Sequence, residues 1–278
     1  MIRTRELRRT RPGFALTVLV SVVVVTVAGA ARAADPPPAT ATPVDDPAAR
    51  ALMLEMASFI ARAPGLRVTM RSEYDAIQAD GQRIEFGERR QILMQRPDKF
   101  RVEVERSDGE RGTVVFDGRW ITAFKPSENV YARVEKAGNL DHALVYMVRD
   151  LHATMPLARM FTTEFPASLD KRATSVTFVE EFSLFDVPTD HLAVRSDEVD
   201  MQLWIARGQE PLPRRVVITY KNAPGQPQFR ADLYDWKIGA DADATEFAFV
   251  PPAGAERIMY LAPRPPADAP AASNGELR

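Results

Sequence analysis

Three histidines are the side chains of this chain best suited to acid–base or metal chemistry at neutral pH. They are His142, His152 and His191. The first two lie ten residues apart, a rotation of about 280° around an α-helix, so they cannot share a face. The third lies in a later predicted strand. We interpret each as a surface or capping histidine, and predict no catalytic residue and no metal site.

Paired carboxylates are the second candidate for chemistry. Glu103 and Glu105 share one face of a predicted strand, and Glu180 and Glu181 are adjacent. A glycosidase needs two such groups across a cleft, and no cleft can be read from this pattern. The sequence also lacks the nucleophile-elbow, zinc-protease, dinucleotide and phosphate-loop motifs. We therefore predict a non-enzymatic protein without a cofactor.

Large, flexible apolar side chains are a stronger signal than any polar group. Methionine adapts its shape and is common at apolar binding surfaces, and several methionines fall on predicted helices. Two alternatives remain open: an ordinary core between sheet and helices, or an apolar cavity that takes a small ligand. For the second, the candidate cavity and lid residues are Met56, Phe59, Trp120, Phe124, Leu144, Met147, Leu151, Met160, Phe161 and Trp204.

Most of the chain between the two ends shows the two-residue period of β-strands. Residues 66–75 alternate apolar and polar side chains, and Asp80-Gly81 predicts a hairpin turn into residues 83–96. Further alternating runs follow, first at residues 100–134 and then at residues 175–238, each separated by short turns. Short turns favour an antiparallel meander over a βαβ arrangement.

Helical patterns occur before the first strand and in the middle of the chain. Asp45 and Asp46 precede apolar residues at helical spacing, as N-caps do. An insert near residues 140–162 begins with a full apolar stripe. Met155-Pro156 then breaks the chain, and Pro156 suits the first position of a second short helix. That stripe consists of Leu140, Ala143, Leu144, Met147, Val148 and Leu151, and the second helix carries Leu157, Met160 and Phe161.

These elements predict an α+β fold. We expect a strongly curved antiparallel half-barrel sheet of about ten or eleven strands, with helices covering the concave face. A sheet of that length curls, and its apolar concave face needs a cover. Residues 46–262 form the predicted single domain.

Both ends of the 278-residue chain lack the pattern of a fold. Residues 1–34 have a basic start, an apolar run at 14–27 and small residues at 31–33, as in a cleaved signal peptide. The apolar run is shorter than the roughly 20 residues that cross a bilayer. Residues 35–45 are a predicted Pro/Ala-rich linker, and residues 263–278 are a predicted disordered tail. We therefore expect a periplasmic protein without a stable membrane anchor after cleavage.

Charge and cysteine content narrow the function classes. The formal charge is −2. Residues 1–34 carry six arginines and one acid, so their removal leaves a chain of charge −7. A mildly acidic exported protein is not expected to bind nucleic acid. With no cysteine in the sequence, disulfides, thiolate metal sites and a lipidated cysteine are excluded.

Several stretches resemble the DUF2092 family of predicted periplasmic proteins, in order along residues 46–258. They are QRPDKFRV at 95–102, FDG at 116–118, NVYA at 129–132, DMQLWI at 200–205, PLPRRVVITYK at 211–221 and FAFVPPAGA at 247–255. The resemblance implies the fold of the LolA/LolB/RseB lipoprotein-carrier superfamily, a half-barrel closed by helices over an apolar cavity. It implies no activity and no catalytic residue. The segment 183–189 lacks the glycine pair expected there.

The predicted function is non-covalent binding of an apolar ligand. We expect a carrier or chaperone for a lipid, a lipoprotein or another apolar ligand held in the half-barrel. A different class remains open: an envelope sensor or adaptor that binds a protein partner through the sheet edge or the helical lid. A hydrolase with an unfamiliar site is a distant third reading.

Overall fold

The computed structural model describes residues 44–239 and 241–260, which form one sheet of twelve strands, three α-helices and two 3₁₀ turns. The predicted signal peptide, residues 35–43 of the predicted linker and the predicted tail at 263–278 lie outside the described residues. The strands are β1 (Gly65–Ile77), β2 (Arg83–Gln95), β3 (Lys99–Arg106), β4 (Arg111–Phe116), β5 (Trp120–Lys125), β6 (Val130–Glu135), β7 (Ser175–Leu184), β8 (Val187–Arg195), β9 (Val199–Ala206), β10 (Pro213–Tyr220), β11 (Gln228–Ile238) and β12 (Glu256–Ile258).

The sheet consists of two meanders that meet in its centre. Its strand order is β12-β6-β5-β4-β3-β2-β1-β11-β10-β9-β8-β7. The predicted antiparallel fold class is confirmed: the sheet is open and curled, and every pair of neighbours is antiparallel except β12 and β6. The predicted strand count was too low by one or two. The missed strand, β12, has only three residues, all exposed, and so shows no apolar alternation.

Three α-helices and a 3₁₀ turn pack on one side of the sheet, which we call the inner face. They are α1 (Pro47–Arg62), α2 (Leu140–Arg149), the 3₁₀ turn Ala158–Phe161 and α3 (Phe165–Arg172), and together we call them the cover. Leu66, Val68 and Met70 of β1 belong to the core shared with the cover. The intervening residues of β1 point to the opposite side, the outer face. There the second 3₁₀ turn, Ala244–Phe247, packs Phe247 on Leu93 and Val115.

Local sequence explains the first two helices. Asp46 is the N-cap of α1, because its carboxylate accepts hydrogen bonds from the N–H groups of Ala48 and Ala49 at 2.9 and 3.2 Å. Asp45 instead accepts a 2.8 Å bond from the N–H of Val176 in β7. The apolar stripe of α2 is buried as predicted, and its N-cap is Asn139.

The predicted short helix after Pro156 is a 3₁₀ turn that begins two residues later than expected, and α3 was not predicted. Pro156 does not begin a helix; a 3₁₀ turn follows at Ala158–Phe161, and the longer helix α3 begins only at Phe165. Pro166 occupies the first turn of α3, as proline prefers. Since α3 buries only Leu169, its apolar period is too weak to be recognised from sequence.

The turn between β7 and β8 forms without the glycine pair expected there. Phe185 and Asp186 form it, with φ of 49° and 62°. Both values lie in the left-handed region that tight hairpin turns require and that glycine or asparagine usually occupies. Phe185 and Asp186, which are not glycines, therefore adopt this left-handed backbone conformation at some cost in free energy.

Candidate functional site

An apolar cavity, which we call the main cavity, lies between the cover and strands β9 and β10. Its volume is about 80 Å³. Its walls are mostly apolar side chains from both layers. They are Met56, Leu157, Arg159, Met160, Phe165, Ser168, Leu169, Arg172, Ala173, Ser196, Val199, Met201, Leu203, Val216 and Ile218.

The alternation of the strands creates the floor of this cavity. Leu203 of β9 pairs with Val216 of β10, and Met201 pairs with Ile218, so all four side chains point to the inner face. The helices supply the roof, with Met56 from α1 and Leu169 from α3. Because the floor comes from strands that were recognised by their period, this half of the cavity follows from the sequence.

A second, smaller cavity lies on the other side of the 3₁₀ turn. Its volume is about 20 Å³, and its walls include Phe100, Val102 and Leu144. The segment 155–161 borders both cavities: Leu157 and Met160 line the main one, while Phe161 lines the small one. This segment is therefore the partition between them.

The partition is held by a few polar contacts. Arg90 of β2 is 7% exposed and donates a 3.0 Å hydrogen bond to the carbonyl oxygen of Thr154. Its Nε donates to Glu88 at 2.7 Å, so the buried guanidinium is paired. Arg96 donates a 2.9 Å hydrogen bond to the carbonyl oxygen of Phe161. Burial lowers the pKa of Arg96, and the nearby carboxylate of Asp141 opposes that shift.

The polar atoms of the main cavity come from four residues. Arg159 donates a 2.6 Å hydrogen bond to Ser168 Oγ, which links the 3₁₀ turn to α3. Arg172 donates a 3.0 Å hydrogen bond to Glu198, an acid that does not line the cavity. Ser196 is buried, and its hydroxyl donates to the carbonyl oxygen of Val199 at 2.9 Å. The sequence pattern gave no signal for either arginine, because nothing in the spacing marks them.

The structure brings part of the predicted site together. Met56 and Met160 line the main cavity, and Leu144 and Phe161 line the small one. Three further residues pack in the same core without lining either cavity. They are Met147, Leu151 and the half-buried Phe59.

The three predicted wall residues with large aromatic rings lie elsewhere. Trp204 follows Leu203 and so points to the outer face, where it stacks on His191 with ring centroids 4.0 Å apart. Trp120 lies beneath the guanidinium of Arg133, 4.7 Å from the ring centroid. Phe124 packs against Phe249 at 5.6 Å. The structure therefore does not bring these three together with the cavity residues.

The histidines do not form a site. His142 and His152 are exposed, as expected, but His191 is buried, contrary to the expectation of a surface or capping residue. Its Nε2 lies 3.2 Å from Gln202 Oε1. Among the described residues, no three His, Cys, Asp or Glu side chains come together as metal ligands would. None of the helices in these ranges has the length and hydropathy of a transmembrane span.

Comparison with known families decides the membership of this chain. A family model described as "Predicted periplasmic protein (DUF2092)" matches residues 49–261. The chain belongs to the DUF2092 family. This confirms the family resemblance found in the sequence. No curated protein matches this DUF2092 protein.

Several solved structures are similar to it at low sequence identity. An uncharacterized conserved protein from Thermus thermophilus is 12% identical with a TM-score of 0.43, over 75% of this chain and 98% of that one. The Mycobacterium tuberculosis lipoprotein LppX is 10% identical with a TM-score of 0.44, over 72% of this chain and 100% of that one. A LolA superfamily protein from Nitrosomonas europaea is 15% identical with a TM-score of 0.35, over 72% and 97%.

Proposed function

We propose that this DUF2092 protein binds an apolar or lipidic ligand non-covalently, as a carrier or chaperone in the periplasm. The observation that carries the proposal is the main cavity, an apolar space between the cover and the inner face. Its walls include Met56, Met160 and Met201, whose flexible side chains adapt to ligands of varied shape. The predicted signal peptide and the family description as periplasmic support the location.

Ligand entry requires the cover to move. Small-molecule sites usually have volumes of about 300–1,000 Å³, and the main cavity has about 80 Å³. Displacement of the partition at 155–161 joins the two cavities into one space over the inner face. The partition suits this role because Leu157 has a φ of 59°, a strained conformation for a residue other than glycine.

Cavity filling tests the carrier function. Ala173 lines the main cavity, so Ala173→Phe places a ring inside it. We expect weaker binding of the apolar fluorescent probe N-phenyl-1-naphthylamine, because the ring occupies the space of the probe. Ala167→Phe is the matched control, because Ala167 is exposed on the same helix. Equal probe binding by both variants contradicts binding in the main cavity.

Native mass spectrometry of protein purified from periplasm supplies a second test. Acyl-chain adducts that are present on the wild-type protein and absent from Ala173→Phe support a carrier. A protein that carries no adduct and binds no apolar probe contradicts the carrier function.

An adaptor that binds a protein partner is the second candidate, favoured by the free edge of the sheet. Strand β7 ends the sheet, and near its start the carbonyl oxygen of Val176 accepts a 2.7 Å hydrogen bond from the N–H of Asp46, the N-cap of α1. Beyond this point Phe178, Val179 and Phe182 are between 42% and 48% exposed. An exposed apolar edge strand can pair with an extended segment of another protein.

A single substitution separates the two candidates. Val179→Pro removes a backbone donor from the edge strand without touching the main cavity. Loss of cross-linking to a periplasmic partner with unchanged probe binding supports the adaptor. Unchanged cross-linking argues against the edge as the contact surface.

A further inference from the structure

We propose that the ligand of the main cavity is an amphiphile with one acidic head group, a carboxylate or a phosphate, bound by Arg159 and Arg172. This inference rests on the proposed carrier function and adds the chemical class of the ligand. The alkyl chain lies among the apolar walls, and the two guanidinium groups receive the acid.

The first argument for an acidic ligand is the charge of the residues that line the main cavity. Of the fifteen residues that line the main cavity, two are arginines and none is an acid. The remaining polar members, Ser168 and Ser196, are neutral. An apolar space whose lining includes two arginines and no acid is complementary to an anionic amphiphile.

The local structure places both arginines at the same part of the wall. Ser168 and Arg172 lie four residues apart on α3 and therefore share one face of that helix. Arg159 reaches this face, because its Nη1 donates to Ser168 Oγ at 2.6 Å. Both arginines are half-buried, whereas Leu203 and Ile218 on the floor are buried. The head-group end thus faces solvent, and the apolar end lies against the sheet.

One ion pair of Arg172 can be exchanged for a bond to a ligand. Arg172 bonds to Glu198, whose side chain is 58% exposed. Exposed ion pairs of this kind contribute little free energy, so an acidic ligand can take the place of Glu198. Guanidinium groups bind carboxylate and phosphate through paired hydrogen bonds, and such charge-assisted bonds strengthen where water is excluded.

The simpler role for both arginines is structural. Arginine often covers apolar surface with its alkyl stem while its head stays in water. In that case the head group of a ligand is irrelevant to affinity, and only chain length matters. The two roles therefore predict different responses to ligand charge.

The test compares three amphiphiles of equal chain length by displacement of N-phenyl-1-naphthylamine at pH 7.5. The probes are dodecanoate, dodecyl phosphate and the neutral dodecanol. We expect the wild-type protein to bind at least one acid about tenfold more tightly than the alcohol. In the variant Arg159→Gln/Arg172→Gln we expect this preference to disappear, because the affinity for the acids falls by more than the affinity for dodecanol. Arg149→Gln, at an exposed arginine of α2, is the matched control and keeps the preference.

Further measurements identify the source of the acidic ligand. They also distinguish a failure of the head-group proposal from a failure of the carrier function. Single-chain phosphatidylglycerol carries a phosphodiester, so preference for it over dodecanoate indicates a phospholipid, and the reverse indicates a free fatty acid. Equal binding of acids and alcohol by the wild type overturns the head-group proposal alone. The same holds if the double variant loses acid and alcohol equally. Binding of none of these amphiphiles contradicts the carrier function itself.

Discussion

The guanidinium of Arg96 donates a hydrogen bond to the backbone carbonyl of Phe161, over 2.9 Å. The same side chain donates to the carbonyl oxygen of Ala63, just after α1, at 3.2 Å, and lies 3.5 Å from Asp141 of α2. One residue following β2 therefore ties three parts of the cover to the sheet. Its side chain is 15% exposed, so these bonds lie largely out of water.

Replacement of this side chain should loosen the cover. In Arg96→Met the carbonyl oxygens of Ala63 and Phe161 and the carboxylate of Asp141 lose a buried partner. We expect the free energy of unfolding to fall by about 2–3 kcal/mol, because unpaired buried groups are costly. Urea unfolding measures the change. Arg106→Met, at a 54% exposed arginine, is the control and should change stability by less than about 0.5 kcal/mol.

The β7–β8 turn should accept glycine with a gain in stability. Asp186 has a φ of 62°, which costs an ordinary residue free energy and costs glycine none. We expect Asp186→Gly to raise the free energy of unfolding by about 1 kcal/mol in urea titrations. Asp186→Ala retains the strained backbone and should give no gain. A gain of equal size from alanine would show that removal of the carboxylate, not backbone strain, is responsible.

Acid should weaken the attachment of α1 to β7. Two hydrogen bonds lower the pKa of Asp45 below its ordinary value of 3.8. The larger effect comes from the side chain of Arg50 and the smaller one from the N–H of Val176. A carboxyl with a lowered native pKa stabilises the fold above its unfolded pKa, and this contribution is lost as the pH falls through the lowered value. We expect wild-type stability to decrease more steeply than that of Asp45→Asn below about pH 4. Parallel thermal-unfolding profiles of the two proteins between pH 2 and 6 would contradict this role.

The outer-face aromatic residues should not influence ligand binding. Trp204→Leu removes the stack on His191 but leaves the cavity wall at Leu203 in place. We expect the affinity for N-phenyl-1-naphthylamine to change by less than about twofold, since separate sites act almost independently. Met160→Trp, inside the main cavity, should weaken it clearly. A large loss in Trp204→Leu would place a binding surface on the outer face.

The strands and α2 could be predicted because burial on one face leaves a regular trace in the sequence. Met201 and Leu203 of β9, like Val216 and Ile218 of β10, are apolar residues spaced two apart, and all four reach the cavity. The two-residue period of the strands does not show which of the two faces of the sheet the helices cover. Trp204 has apolar neighbours on both sides along the strand, and only the position of the helices reveals that it lies on the outer face.

The site was harder to predict than the fold because its polar part depends on chain packing. Arg159 and Arg172 belong to a 3₁₀ turn and a helix of eight residues, neither with a strong apolar period. Both line the main cavity, and Arg159 bonds to Ser168, which lies four residues before Arg172 on α3. No spacing rule relates residues on separate short elements, so a pair of this kind is visible only in three dimensions.

The pairing of β1 with β11 has a consequence for folding order. Leu66 lies opposite Ile238, near the two ends of the described chain, whereas β1 to β6 are joined by short turns. Pairings between distant segments form slowly, because a long loop must close first. We expect β1 to β6 to pair early in folding. The other edge of β1 then stays unpaired until β11 pairs with it. The main cavity, whose floor is β9 and β10, can then exist only after the last long strand has docked, so the chain cannot bind ligand there before β11 has paired with β1.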